Sequence, residues 1–322
     1  MGKIIVTGGA GFIGSALVWR LNQLGYDDII VVDRGDETGK ERNLAPLRFN
    51  DFLNADEFID GPDKHKDTEL ILHMGACSST TETNREYMMS NNYQYTCNLA
   101  AFAIENEIRF IYASSAATYG DGSDGMADGT DDLKKLRPLN LYGFSKHLFD
   151  LFAAEKGWFD RIVGLKYFNV FGPNENHKGD MRSLVNKAFD QINETGKLKL
   201  FKSADPNYPD GEFGRDFVYV KDAVGMTLFF MENEVGGLFN VGSGRMNTWN
   251  ALAQAIFKAL DSPMNVEFVE MPEKLRDKYQ YHTQADLTRI RNAGYTAETA
   301  PLYEAVADYV RNYLMPGKYL GE

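Results

Sequence analysis

Apolar and polar positions change period repeatedly along the chain, and the changes mark its elements. Residues 3–7 form a short apolar run that ends in glycines, and over 12–24 the apolar residues recur at helical spacing. Strand-like runs return at 28–32, 69–73, 109–114 and 161–168, with helical stretches over 86–105 and 142–156 between them. Strands that alternate with helices predict a parallel sheet covered on both faces. The second half reads differently. Helical spacing at 181–194 leads to a short strand at Leu198–Phe201, then to a loop over 205–214 rich in Pro, Asp, Asn and Gly. A strand at 217–220 and a helix over 221–232 follow. A further helix runs to residue 259, with Thr248 as its N-cap, and helical spacing returns at 286–291 and 302–313.

Composition narrows the function. Among 322 residues, 46 acidic side chains exceed 34 basic ones, for a net charge of −12. That balance argues against a general nucleic-acid or membrane-surface binder, both of which need a positive field. Any anionic ligand must therefore be held by local basic residues and helix N-termini. Two cysteines, Cys77 and Cys97, make no disulfide framework. The N-terminus reads as a strand rather than a signal peptide, and no run approaches the ~18 apolar residues of a spanning helix. A cytoplasmic location is the expectation. The histidines at 65, 73, 147, 177 and 282 show no paired metal-ligand spacing, so no metal is expected.

The glycines after the first strand carry the first chemistry. In Thr7-Gly8-Gly9-Ala10-Gly11-Phe12-Ile13-Gly14, Gly8, Gly11 and Gly14 permit a tight turn and a close approach of backbone N–H groups to a pyrophosphate. The helix behind them presents unpaired donors and partial positive charge to that anion. Asp33 ends the next strand, 19 residues past Gly14, which suits a carboxylate that binds a ribose. Asp33 alone favours NAD, whereas Arg34 and Lys40 offer positive charge to the 2′-phosphate of NADP. On this chemistry the choice stays open.

A second constellation lies in Tyr142-Gly143-Phe144-Ser145-Lys146, where a phenol and an ammonium four residues apart share one helix face. A free tyrosine titrates near ~10, and a nearby lysine together with an oxidised nicotinamide favours its phenolate. Tyr142 is then a proton acceptor for a substrate hydroxyl. Ser114 and Ser115 sit at the C-terminal end of a strand, where ligands bind in doubly wound sheets, and Ser115 is placed to hold the reacting hydroxyl. Asn91 is expected to order the site.

Together these residues and the segment Tyr167-Phe168-Asn169-Val170-Phe171-Gly172-Pro173 resemble the extended short-chain dehydrogenase/reductase family. Segments 73–82, 87–95, 113–120, 176–179, 215–220 and 282–288 are similar to the branch of that family that epimerises ADP-heptose at C6. The resemblance implies a Rossmann-type doubly wound parallel sheet with a smaller α/β substrate domain. The cofactor domain would span 1–168, joined again by 216–245, and the substrate domain 169–215 and 246–322. It implies bound NADP, with Lys40 at the 2′-phosphate, and further cofactor contacts from Phe12, Ile13, Met74, Gly75, Ala76, Cys77, Ser78, Asn91, Lys146 and Val170. Lys178 matches a second catalytic position and is also expected at the cofactor. Substrate contacts are expected from Ser115, Asn169, Asp180, Lys187, Phe201, Lys202, Ser203, Ala204, Arg215 and Tyr279. Asp180 and Lys187 stand where the branch usually has Ser and His. Arg215 suits a diphosphate because guanidinium binds phosphate in a bidentate manner. The resemblance further implies a homo-oligomer, a pentamer, and a cytoplasmic step in making the heptose of lipopolysaccharide core.

Other readings on the same scaffold compete. A dehydratase needs a carboxylate pair after the strand serine, and Ala116-Ala117-Thr118 lacks one. A 4-epimerase acting on a UDP-sugar is harder to exclude. A non-catalytic cofactor-binding sensor would not be expected to keep Ser115, Tyr142 and Lys146 together.

Overall fold

In the computed structural model, which describes residues 2–35, 39–276 and 280–322, the strand–helix alternation of the first half builds one large sheet. Tyr279, an expected substrate contact, lies outside the described residues. The strands are β1 Lys3–Thr7, β2 Ile29–Asp33, β3 Asp51–Asn54, β4 Thr68–His73, β5 Arg109–Ser115, β6 Ile162–Tyr167, β7 Asn169–Phe171, β8 Leu198–Phe201, β9 Gly214–Tyr219, β10 Gly237–Val241, β11 Met246–Thr248 and β12 Val266–Val269. Seven of them pair in the order β10-β6-β5-β4-β1-β2-β3, every pair parallel. The sheet is doubly wound: the chain runs outward from β1 to β3, then returns to the other side of β1 with β4. The crevice at that reversal, beyond the carboxyl ends of β1 and β4, is where such sheets bind ligands.

Parallel strands need cover on both faces, so their side chains are apolar on both. β6 and β10 are buried throughout, and β1 from Ile4 onward. One face packs on α1 (Phe12–Gln23) and on a helix over Val220–Glu232, the other on α2 (Tyr95–Glu105) and α3 (Leu141–Glu155). Each fully buried aliphatic or aromatic side chain here contributes about 1.5–3 kcal/mol of hydrophobic stabilisation. Two small sheets, β11-β9-β7 and β12-β8, lie in the second half with α4 (Leu184–Thr195), α5 (Val220–Glu232), α6 (Trp249–Ala259) and α7 (Leu302–Tyr309). Among the described residues no helix is long and apolar enough to cross a membrane.

The helix expected over 86–105 is present, and within it the turn at Arg85–Met88 widens to a π-helical stretch at Met89–Gln94 before α2 begins. Two sequence expectations need correction. The helix expected over 181–194 starts at Leu184, because Arg182 is extended and Ser183 caps the helix, its Oγ accepting from the Asn186 N–H at 3.3 Å. The strand at 217–220 begins earlier, at Gly214, and Val220 already belongs to α5.

Candidate active site

The glycine turn leaves α1 without a side-chain cap, so its first N–H groups face outward for a ligand. Gly8 has φ +65°, and a Cβ there would lie 2.6 Å from the Gly75 nitrogen. A Cβ on Gly14 would lie 2.1 Å from the Gly8 carbonyl oxygen. The cradle closes on bare backbone, which is the shape a pyrophosphate requires. Asp33 stands at the end of β2, nearly buried. Its Oδ2 accepts from the Ala10 N–H at 3.0 Å, and its Oδ1 from the Arg34 N–H at 2.8 Å and from Lys40 Nζ at 3.2 Å. Arg34 pairs with Asp56 at 3.0 Å. These residues fit an adenosine dinucleotide.

A cavity of about 1160 Å³ runs from this cradle past the ends of β4 and β5 into the second half. Gly8, Gly11, Phe12, Ile13, Gly14, Asp33, Arg34, Lys40, Met74–Ser78 and Asn91 line its cofactor end. His73 pins β4 beneath it: Nδ1 lies 2.6 Å from Thr7 Oγ1 and Nε2 2.9 Å from Thr96 Oγ1. Complete burial, with Lys146 adding to it, holds this imidazole neutral, its pKa lowered to about 3. Asn91 lines the wall and donates to Asn92 Oδ1 at 3.0 Å, and the buried Asn92 orders the wall from behind. Asn92 accepts from the Cys77 N–H at 2.8 Å and donates to the Cys77 carbonyl at 2.9 Å and to Ser145 Oγ at 3.0 Å. The widened π turn points Asn92 inward, and such turns recur at functional sites. The sequence offered Asn91-Asn92 as neighbours and no signal of which faces in.

α3 starts at Asn140, whose side chain accepts from the Gly143 N–H at 2.8 Å. From there Tyr142 and Lys146 both reach the cavity, beside Ser115 at the end of β5. Ser115 hydrogen-bonds the Tyr142 phenol, and its Oγ accepts from the Ala117 N–H at 3.1 Å. On balance the protein's own groups raise the Tyr142 pKa. Burial raises it, against the Ser115 bond, which lowers it, and Cys77 adds to the rise. Burial also takes Lys146 down to about 8, with Asp150 opposing. Lys146 therefore does not by itself make the phenolate. Below the site Asp150 is fully buried. It accepts from Tyr112 Oη at 2.7 Å, Ser114 Oγ at 2.8 Å and Lys166 Nζ at 2.7 Å.

Lys178 enters the same cavity from the short helical turn Asn176–Met181, its Nζ 5.2 Å from the centre of the Phe12 ring. Burial lowers its pKa and Glu175 opposes the fall. Val170, Asn169, Lys187 and Phe201 line the far end. The cavity does not gather every expected contact. Lys202 pairs with Glu270 at 2.8 Å outside its walls. Ser203 and Ala204 turn away toward Asp210 and Tyr281. Asp180 offers its carbonyl to Lys187 Nζ at 3.1 Å and does not line the wall. Arg215 is buried, its guanidinium 5.9 Å from the centre of the Trp249 ring, and it is Trp249 that faces the cavity. The buried Trp249 Nε1 has no hydrogen-bond partner among the described residues, a donor the sequence did not single out. A second, more open groove of about 1220 Å³ lies between 121–126 and 281–288. It contains neither the glycine cradle nor the Tyr142–Lys146 pair, so the chemistry is assigned to the first cavity.

Comparison with known proteins agrees with this geometry. The model of the NAD dependent epimerase/dehydratase family matches residues 4–242. The ADP-L-glycero-D-manno-heptose-6-epimerase of Nitratidesulfovibrio vulgaris is 48% identical over 314 residues, 96% of this chain and 97% of its own. The enzyme of that name from Fusobacterium nucleatum is 45% identical over 97% of this chain and 98% of its own. The crystal structure of the Helicobacter pylori ADP-L-glycero-D-manno-heptose-6-epimerase superposes with a TM-score of 0.81 at 30% identity, over 97% of this chain and 96% of that one. Matched over residues 4–242 by the family's model and along nearly its whole length by such relatives, the chain belongs to the NAD dependent epimerase/dehydratase family.

Proposed function

We propose that the protein converts ADP-D-glycero-D-manno-heptose to its L-glycero epimer by transient oxidation and reduction at C6. One observation carries the reading: two titratable side chains, Tyr142 and Lys178, reach one cavity from different elements. Epimerisation through a ketone presents the hydroxyl in two places. An acid/base acts only within about 2.6–3.2 Å, so two poses call for two groups. The names of the full-length relatives support the choice of substrate.

The family uses a nicotinamide cofactor, which when bound takes hydride from the sugar carbon, returns it, and brings a positive ring charge. NADP is the form we propose, since Lys40 pairs with Asp33 and offsets its charge, and Arg34 adds a second cation beside the same strand end. Ser115 holds the reacting hydroxyl. Tyr142 exchanges that hydroxyl's proton in one pose and Lys178 in the other. Lys146 orients the cofactor ribose, and the positive ring charge that a bound cofactor would bring favours the Tyr142 phenolate. The cofactor half is then 1–168 with 216–245, and the substrate half 169–215 with 246–322.

The test is to incubate the purified protein with ADP-D-glycero-D-manno-heptose, adding no cofactor, and to separate the sugars. Conversion, with NADP in the acid extract of the protein, supports the whole reading. No conversion even with NADP⁺ and NAD⁺ supplied overturns it and points to UDP-sugars.

A further inference from the structure

The loop that carries Lys178 is closed by a carboxylate with no part in the steps above. Glu175 is completely buried. Its Oε1 accepts from the Gly172 N–H at 3.3 Å and from Ser183 Oγ at 2.7 Å, and its Oε2 from the Ser183 N–H at 2.5 Å. The carboxylate thus ties 172 to 183, with Lys178 on the arc between. The residue before it is held as firmly. Asn174 has φ +77°, a backbone that costs a non-glycine residue on the order of 1 kcal/mol. Its side chain donates to Ser15 Oγ on α1 at 3.0 Å and accepts from the Leu320 N–H at 3.0 Å. Its carbonyl accepts from Asn43 Nδ2 at 3.1 Å. Strain of this kind persists where the surroundings over-determine it, and it clusters at working sites.

Burial raises the Glu175 pKa, and the bonds from Ser183, the field of Lys178 and the Gly172 N–H oppose that rise. No ion pair at 4 Å or less involves Glu175 among the described residues, so its hydrogen bonds fix it while Lys178 acts through the field. The other charged or titratable groups that face the pair are few. Tyr309 on α7 hydrogen-bonds Glu175 and accepts from Asn186 Nδ2 at 2.7 Å. Arg182 is engaged with Asp190 at 2.7 Å, and His177 lies 3.2 Å from Asn43 Nδ2.

We propose that Glu175 is a positioning residue for the reaction: it clamps loop 172–183 and places a carboxylate within the field of Lys178. The proposal rests on the reading of Lys178 as an acid/base. As acid, the Lys178 ammonium gives its proton to the ketone oxygen and becomes an amine; as base, the amine takes the hydroxyl proton back. Burial alone would strip the ammonium of its proton too early, and the Glu175 carboxylate opposes that.

The experiment is the pH dependence of kcat and KM for wild type, Glu175→Gln, Lys178→Met and the double variant. Gln keeps the size and one carbonyl acceptor but loses the charge. Glu175→Gln should lower kcat on the order of tenfold or more with little change in KM, and move the alkaline limb of kcat to lower pH. In the Lys178→Met background it should change kcat by less than about twofold, since both substitutions act through one group. A Glu175→Gln profile that superposes on wild type, or losses that multiply in the double variant, overturns the proposal while a crippled Lys178→Met leaves the acid/base reading standing. A Lys178→Met protein with wild-type kcat overturns both. If Glu175→Gln does not fold, Ser183→Ala loosens the carboxylate and serves in its place. It should lower kcat in wild type and not in Lys178→Met, and equal losses in both refute the inference.

Discussion

Replacing Lys166 with Met should destabilise the protein far more than an ordinary core substitution. The Lys166 and Asp150 side chains are both 0% exposed, with Nζ 2.7 Å from Oδ2. Nζ also donates to Thr118 Oγ1 at 2.7 Å. Methionine fills much the same volume, so the loss is electrostatic. Asp150 keeps the Tyr112 and Ser114 hydroxyls as donors but loses its ion-pair partner, with only the field of Lys146 left to oppose its burial. Breaking a buried pair in this way costs about 3–5 kcal/mol. At about 2–4 °C of Tm per kcal/mol for a chain of this size class, the midpoint should fall on the order of 10 °C. Calorimetry and urea unfolding read the loss. The decisive comparison is Lys166→Met with Asp150→Asn in one chain. Removing both charges should recover most of the stability, because an apolar or neutral replacement of a buried pair is often close to neutral. A single-variant loss below about 1 kcal/mol, or a double variant worse than the single one, would refute the reasoning. Turnover should fall as well, since Asp150 reaches Ser114 beside Ser115 and lies two helical turns beyond Tyr142.

Gly14→Ala places a methyl 2.1 Å from the Gly8 carbonyl, so the cradle must open. About 1–3 kcal/mol of overpacking predicts roughly five- to 150-fold weaker binding of NADPH in a fluorescence titration, and unchanged affinity would count against the cradle. His73 titrates near 6.5 when unfolded and about 3 when folded, so its contribution is complete above 6.5 and is lost as pH falls through that window. Relative to His73→Gln, the wild type should lose about 2 kcal/mol of unfolding free energy between pH 7 and pH 5; parallel urea curves at both pH values would dismiss that sign.

What the sequence made legible was local. The change of period at residues 3–24, with glycines between, locates β1 and α1 because turn, strand and helix signals lie within one short window. Asp33 and the Tyr142–Lys146 spacing are legible for the same reason. β3, β10 and β12 were not. β3 is an edge strand whose first two residues are exposed, and β12 pairs only with β8, so neither presents a clean alternation. Lys202, Ser203 and Ala204 follow Phe201 in sequence, but the chain turns out of the cavity after β8, and a resemblance by segment carries no such direction. Asn92 and Glu175 were missed because their roles come from burial and from partners 15 and 8 residues away, which spacing does not encode.

The two acid/base groups of the proposed reaction are fixed by different means, and the difference follows from where each sits. Tyr142 rides on α3, locked to β5 and β6 through Asp150, so its position is as rigid as the large sheet. Lys178 sits on the short helical turn Asn176–Met181. Its loop is held instead by polar ties to α1, to residue 43, to Leu320 near the C-terminus and to the cap of α4. Those ties span nearly the whole chain, so the second group is assembled only when both halves are folded together. A ketone that turns between two poses needs acid/base groups fixed relative to each other. Here the wall behind the first is apolar packing around one ion pair, and the wall behind the second is a hydrogen-bonded clamp. Loosening the clamp should therefore impair one pose and spare the other, while loosening the sheet impairs both.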